Sequence, residues 1–256
     1  MAQATMPRDT PSGGILDRSL APSTQWIAAL FARREMVAYS TVLVAGFLLR
    51  IWDVGNRAMH HDESLHAYYA WKLFVGQGYT YDPLMHGPLQ FEVAPLFYLL
   101  FGASEFSARL LAVILGTMLI PLPFFLRHHL TRPGALLASL MLAVGPVFVY
   151  FSRFIRDDIY LACFALILFI CVVRYLETNQ HRFLYGGAAV LALAVASMEA
   201  AYLLIFIFGT FIGYQILREF LAEKEGPVLR AVRTTSLDAW LTAIALFVVI
   251  MVVLYS

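Results

Sequence analysis

Ionisable side chains are scarce in this chain, and the places where they gather are chemically suggestive. The densest group is His60-His61-Asp62-Glu63. Adjacent carboxylates beside histidines are the residue types that general acid–base work needs, one to take a proton and a neighbour to hold or orient the partner. Taken alone, an Asp-Glu pair is better explained as a helix start, with Asp62 as cap and Glu63 favoured by the helix dipole. Both readings can hold, since a cap is also a rigid mount. A second group, Asp82-Pro83-Leu84-Met85-His86-Gly87-Pro88-Leu89, offers an imidazole, a glycine that would let backbone approach a ligand, and a proline suited to the first turn of a helix. The third is Tyr150-Phe151-Ser152-Arg153-Phe154-Ile155-Arg156-Asp157-Asp158. Its arginines could hold a phosphate by charge-assisted hydrogen bonds or only touch lipid phosphates, and either aspartate could simply cap the next helix. Last comes Glu199, an acid inside an apolar tract, where a carboxylate is costly unless a turn exposes it.

The elements that position these groups must be membrane helices. Apolar residues make up 61% of the 256 positions and charged residues 14%, too greasy a balance for a soluble domain. Stretches of spanning length fall at 36–52, 107–126, 135–151, 159–176, 183–198, 200–217 and 237–256, each near the roughly 20 residues that cross a bilayer core. The sequence therefore predicts an all-α integral membrane protein of about seven transmembrane helices. The fifth and sixth stretches form one tract divided at Ser197-Met198-Glu199 into a tight hairpin, because one helix of that length would overshoot the bilayer. Arginine and lysine collect at Arg33 and Arg34, at Arg127 and Arg132, at Arg174 and Arg182, and at Arg218, Lys224, Arg230 and Arg233. By the positive-inside rule these segments and the N-terminus are cytoplasmic. All four groups of ionisable residues then share the opposite face, and their convergence becomes a better account than coincidence.

Residues 1–23, rich in Pro and Gly with scattered Ser and Thr, read as a disordered cytoplasmic tail without the zones of a secretory signal. Residues 24–35, with Trp26, Ile27, Leu30 and Phe31 on one helical face, read as an interfacial helix. The membrane domain then covers 36–256, with a long outer loop at 53–106. In that loop a short helix runs from Asp62 to near Gly76. Tyr68, Tyr69 and Trp71 suit the headgroup layer, so it should lie along the membrane surface. Cys163 and Cys171 lie roughly 12 Å apart if on one helix, too far for a disulfide. A net charge of +1 without a basic stripe excludes nucleic acid as partner. Walker A, Rossmann and HExxH patterns and internal repeats are lacking. His60, His61, His66 and His86 share one face but show no metal or haem ligand spacing.

Asp62-Glu63 after the first span, His86-Gly87-Pro88-Leu89 before the next helix, Ser107-Ala108-Arg109-Leu110-Leu111 opening the second span and Ser152 to Asp158 before the fourth give the chain a familiar order. After residue 36 it resembles the GT-C glycosyltransferases, in particular protein O-mannosyltransferase and aminoarabinose-transferase type enzymes and the archaeal and bacterial proteins associated with flippase activity. The resemblance implies a seven-span module with two surface helices in the first outer loop. It implies a polyprenyl-phosphate-linked sugar as donor, a lipid, protein or glycan acceptor, and inversion at the anomeric carbon on the non-cytoplasmic side. It makes Asp62 the base on the acceptor hydroxyl and Glu63 an acceptor-positioning acid. His86, Arg153 and Arg156 become donor-phosphate partners, and Asp157, Asp158 and Glu199 become acids for substrate or metal. A divalent cation, Mg or Mn, is compatible with acids on several loops, while the arginines could neutralise phosphate without it. The chain departs from its relatives in having His86-Gly87-Pro88 where they have Lys-Pro-Pro or His-Pro-Pro, and Met198-Glu199 where they often have Lys before the acid. Family members commonly continue into further helices, so the chain is expected to be a fragment, a minimal module or a subunit needing a partner. A lipid-linked-sugar flippase or transport component, or a non-catalytic subunit, remains an alternative to an enzyme.

Overall fold

A computed structural model describes residues 22–78, 86–223 and 226–256, with side chains from residue 33 onward. Residues up to Ala38 and residues from Tyr39 to Ser256 form two compact units, and the second carries everything discussed below. The described residues make helices and no strand: α1 (Pro22–Ile51), α2 (His61–Phe74), α3 (Leu89–Phe101), α4 (Glu105–Met118), α5 (Arg127–Leu130), α6 (Arg132–Val144), α7 (Pro146–Phe151), α8 (Asp158–Thr178), α9 (His181–Val195), α10 (Ala201–Leu221), α11 (Pro227–Thr234) and α12 (Leu237–Tyr255).

Local chemistry sets most boundaries. Ser104 and Ser107 cap α4 reciprocally, Ser107 N–H donating to Ser104 Oγ at 3.2 Å and Ser104 N–H to Ser107 Oγ at 3.0 Å. Pro121 and Pro123 lack the N–H that an α-helix would use, and the chain tightens into a 3-10 turn over Leu122–Leu126 before α5. Gly145-Pro146 divides α6 from α7, and Asn179 ends α8 in the left-handed region at φ 52°.

The break at Gly145 has a partner in α1. Ending α6 there leaves last-turn carbonyls without helical donors. Arg50, fully buried, donates to two of them, Ala143 O at 2.9 Å and Leu142 O at 2.8 Å, and also to Gly46 O at 2.9 Å and Ser152 Oγ at 3.0 Å.

Two clusters of apolar side chains hold the helices. Leu111, Leu115, Ile159, Tyr160, Cys163, Phe164, Ala194 and Val195 join α4, α8 and α9. Ala67, Ala70, Phe91, Ala94, Tyr98, Ala108 and Ile155 join α2 and α3 to α4 and to the segment before α8. Between bilayer helices the attraction is close packing rather than water exclusion, which suits the small residues where α8 meets α9.

Among the described residues four helical stretches are long and apolar enough to cross a membrane, Glu105–Leu130, α8, α10 and α12, while α3, α6 and α9 are shorter apolar helices. On α10 and α12 large apolar side chains such as Phe206, Leu221 and Val253 are exposed, a surface that hydrocarbon solvates and water does not. This is an all-α integral membrane protein. All seven apolar stretches of the sequence are helical, but the start of the chain differs from expectation. An interfacial helix at 24–35 followed by a span from 36 is instead one helix, α1, which passes through Arg33 and Arg34 because arginine is a good helix former. The tail expected at 1–23 falls outside the described residues up to 21, and Pro22 and Ser23 open α1.

Candidate functional site

The mount for the acidic pair is the start of α2. His60 is its cap: Asp62 N–H donates to His60 Nδ1 at 3.3 Å, and Glu63 Oε2 accepts from His60 N–H at 3.1 Å. The expectation that Asp62 caps this helix is therefore corrected. Histidine occupies the cap position, and the Asp62 carboxylate, 47% exposed and 3.8 Å from His60 Nδ1, is left for other work.

Glu63 is the opposite case. It has no exposed surface and receives Arg109 Nε at 2.8 Å, Arg109 Nη2 at 3.1 Å, Arg57 Nη2 at 3.0 Å and Ile155 N–H at 3.1 Å. Arg109 is equally buried and spends its remaining nitrogen on Val54 O at 2.6 Å and Arg57 O at 3.0 Å. Burial alone would raise the Glu63 carboxyl, but the Arg109 hydrogen bonds, the backbone N–H groups of His60 and Ile155 and the Arg109 charge bring it below the usual carboxylate range. Hydrogen bonds thus occupy both carboxylate oxygens. Glu63 locks α2 to α4, to the turn after α1 and to the segment before α8, and so fixes where Asp62 stands.

The groups expected from the other segments meet beside this mount. His86 Nδ1 lies 2.9 Å from Glu199 Oε2. Burial would raise the Glu199 carboxyl, but the hydrogen bond from His86, its own backbone N–H and the His86 charge hold it lower. The His66 ring stacks 6.3 Å from that of His86 and 5.3 Å from that of Phe91. Burial, then the charge of His86, push His66 down to about 4, so it is neutral near pH 7; Asp62 and Arg156 are close enough to act on it. Arg156 Nε pairs with Asp158 Oδ2 at 3.1 Å. Asp157 occupies the cap position of α8 but makes no capping bond with its side chain, and its buried Oδ1 has no hydrogen-bond partner. Burial, then the charges of Asp158 and Glu199, raise its pKa well above the ordinary value.

Gly87 serves this assembly in a way the sequence did not suggest. Its backbone packs on the turn between α9 and α10 rather than awaiting a ligand: Gly87 N–H donates to Ser197 O at 3.1 Å and Leu89 N–H to Ala196 O at 3.0 Å. A Cβ at 87 would stand 2.0 Å from Ala196 O. The clamp holds His86 at φ 65°, a left-handed conformation that costs a non-glycine residue energy. Asp82 to Met85 lie outside the described residues.

Arg153 does not join Arg156. Its Nη2 donates to Trp52 O at 2.7 Å, and it lines a cavity with Asp53, Arg57 and Tyr150, while Ile155, buried and bonded to Glu63, lies between the two arginines in the chain. Arg109, Arg57 and His66 were not singled out from the sequence as site residues. For Arg109 the signal was present, since an arginine inside an apolar span demands a partner. Among the described residues no group of three or more His, Cys, Asp or Glu side chains is placed to hold a metal ion, so these residues do not fit the Mg or Mn expected above.

The structure thus defines an all-helical membrane domain whose acids, histidines and arginines gather where its helices begin and end. More particularly, the sequence pattern described as dolichyl-phosphate-mannose-protein mannosyltransferase matches residues 85–255, about two-thirds of the chain, and the chain belongs to that family. Its fold is similar to that in "Structure of S. cerevisiae protein O-mannosyltransferase Pmt1-Pmt2 complex bound to the sugar donor", with a TM-score of 0.60 and 16% sequence identity over 87% of this chain and 33% of the yeast chain. The chain thus spans about a third of the length of that relative. No curated protein sequence matches it.

Proposed function

We propose that this chain moves a sugar from a polyprenyl-phosphate donor to an acceptor hydroxyl, with inversion. The observation that carries the reading is the half-exposed Asp62 on a mount immobilised by Glu63 and Arg109, beside His86, Glu199 and Arg156. In the step, the acceptor oxygen attacks the anomeric carbon as the bond from that carbon to the phosphate oxygen breaks. Asp62 takes the hydroxyl proton, and the electron pair leaves with the polyprenyl phosphate. The extra negative charge on that phosphate meets Arg156 and His86, each now shared with an acid, Asp158 and Glu199 respectively. Asp157, buried at the start of α8 with an unpartnered Oδ1, stands near enough to Asp158 and Glu199 for their charges to act on it. In this reading Glu63 acts through position only, and Arg153, which lines the cavity beside Tyr150, is left out of the donor-phosphate set.

Seven spans, an N-terminus in the cytoplasm, α2 on the outer membrane surface and a site on the non-cytoplasmic face complete the reading, supported by the seven helical stretches and the charge pattern. Single cysteines test the orientation, the buried Cys163 and Cys171 having been replaced. In intact cells an impermeant thiol reagent should label Gln77→Cys and spare Glu223→Cys. The reverse pattern, with both labelled after permeabilisation, would invert the topology.

The decisive experiment offers purified protein a set of labelled polyprenyl-phosphate sugars with hydroxyl acceptors. Transfer of label is expected, and Arg156→Ala should raise the donor Kd about tenfold, as loss of a charge-assisted phosphate contact does. Donor binding without transfer, restored by no acceptor, would instead favour a transport component or a subunit awaiting a partner. The yeast relative is a complex of two chains, which gives that second reading its support.

A further inference from the structure

The cavity that receives Arg153 is a site in its own right. It has a volume of about 430 Å³ and is walled by apolar side chains such as Leu49 and Val149, with Asp53, Arg57, Tyr150 and Arg153 at its polar end. That volume lies within the ~300–1,000 Å³ of small-molecule sites. Its polar end is a phosphate receptor by type. Arg57 lies 5.8 Å from the Tyr150 ring and 5.4 Å from the Phe154 ring, faces that fix a guanidinium without satisfying its hydrogen bonds. Arg153 is anchored through one nitrogen to Trp52 O. Asp53 is held by Asn56, so two guanidinium charges stand against one carboxylate at the rim. Glu63 draws on Arg109 and on one nitrogen of Arg57, and Arg109 also lies 3.6 Å from Glu105, so what the rim offers a phosphodiester is the remaining N–H groups of Arg57 and Arg153.

Its depth in the membrane follows from its neighbours. Trp52 and Tyr150, both strongly exposed, mark the headgroup layer in which such aromatic rings collect, while Leu48, Leu49 and Val147 expose apolar surface toward the chains below. A receptor with basic groups at headgroup level and apolar walls beneath fits a lipid end-on, not a soluble phosphate.

We propose that this cavity binds a bilayer glycerophospholipid through its phosphodiester, held by Arg57 and Arg153, with the first methylenes of its acyl chains against Leu49 and Val149. The site is separate from the pocket of His86 and Arg156 and does not depend on the reaction proposed for that pocket. Because Arg57 also touches Glu63, an occupant here would brace the mount of Asp62 from its other side.

Native mass spectrometry of the full chain, delipidated in a neutral detergent and titrated with phosphatidylglycerol, tests the inference. One tight adduct is expected. Arg153→Gln should weaken it about tenfold, the loss of a single charge-assisted contact. Val149→Trp, which fills the apolar wall and leaves both arginines, should weaken it as much, while Arg230→Gln and Arg156→Ala should leave it intact. Wild-type binding by both the Arg153→Gln and Val149→Trp proteins would overturn the proposal. So would loss of the adduct in Arg156→Ala, which would move the lipid into the other pocket. Displacement by glycerol phosphate at concentrations no higher than those of the lipid would also overturn it, making this a site for soluble phosphate.

Discussion

Asp62→Asn is expected to slow glycosyl transfer by about a hundredfold or more, the usual contribution of a positioned base. The amide keeps the size of the side chain and cannot accept the acceptor proton. Because His60 rather than Asp62 caps α2, the substitution removes no hydrogen bond that holds the helix. Helical content, thermal stability and donor affinity should therefore stay near wild type while turnover collapses. Rates measured at saturating donor and acceptor, with donor Kd determined separately, make the distinction. Wild-type turnover in Asp62→Asn would remove the base from this residue.

Arg109→Ala is expected to do the reverse and strike the fold. It leaves Glu63, without any exposed surface, stripped of its bidentate partner. Removing one member of a buried ion pair typically costs about 3–5 kcal/mol, and the half-exposed Arg57, still 3.0 Å from Glu63, offsets only part of the loss. Thermal unfolding followed by fluorescence-detected size exclusion should show a large fall in midpoint. Glu63→Leu combined with Arg109→Met should recover much of that loss, since two well-packed apolar groups leave no charge to satisfy. An Arg109→Ala protein as stable as wild type would show that the pair is not the lock described above.

How far the sequence revealed these features varied with the range of the interactions involved. Helices could be located from hydropathy alone, because in hydrocarbon every backbone group must be satisfied within its own segment, and all seven apolar stretches are helical. The break between α9 and α10 at Ser197-Met198-Glu199 was equally legible as a polar interruption in a long apolar tract. Finer features were decided by contacts between distant residues. Arg153 and Arg156 lie three residues apart and would share a face on a helix, but the segment between α7 and α8 is irregular: Arg153 lines the cavity beside Tyr150 and Arg156 turns to Asp158. The pairing of Glu63 with Arg109 bridges 46 residues, and nothing in the local pattern of either names the other. The role of Gly87 could not be read at all, because what it approaches is the backbone of Ala196. Arg50 and Arg109, each inside an apolar run, were the signals open to a stricter reading, since a lone cation there requires partners from elsewhere in the bundle.

Arg50 also bears on the order of events during biosynthesis. Of the acceptors it uses, only Gly46 O belongs to α1; the others come from residues 142, 143 and 152. Until residues 142 to 152 have left the ribosome, the guanidinium lacks those partners and must stretch toward water and headgroups that can solvate it. It can be drawn inward only when the end of α6 arrives. α1 therefore takes its final seat late, after some hundred further residues have been made.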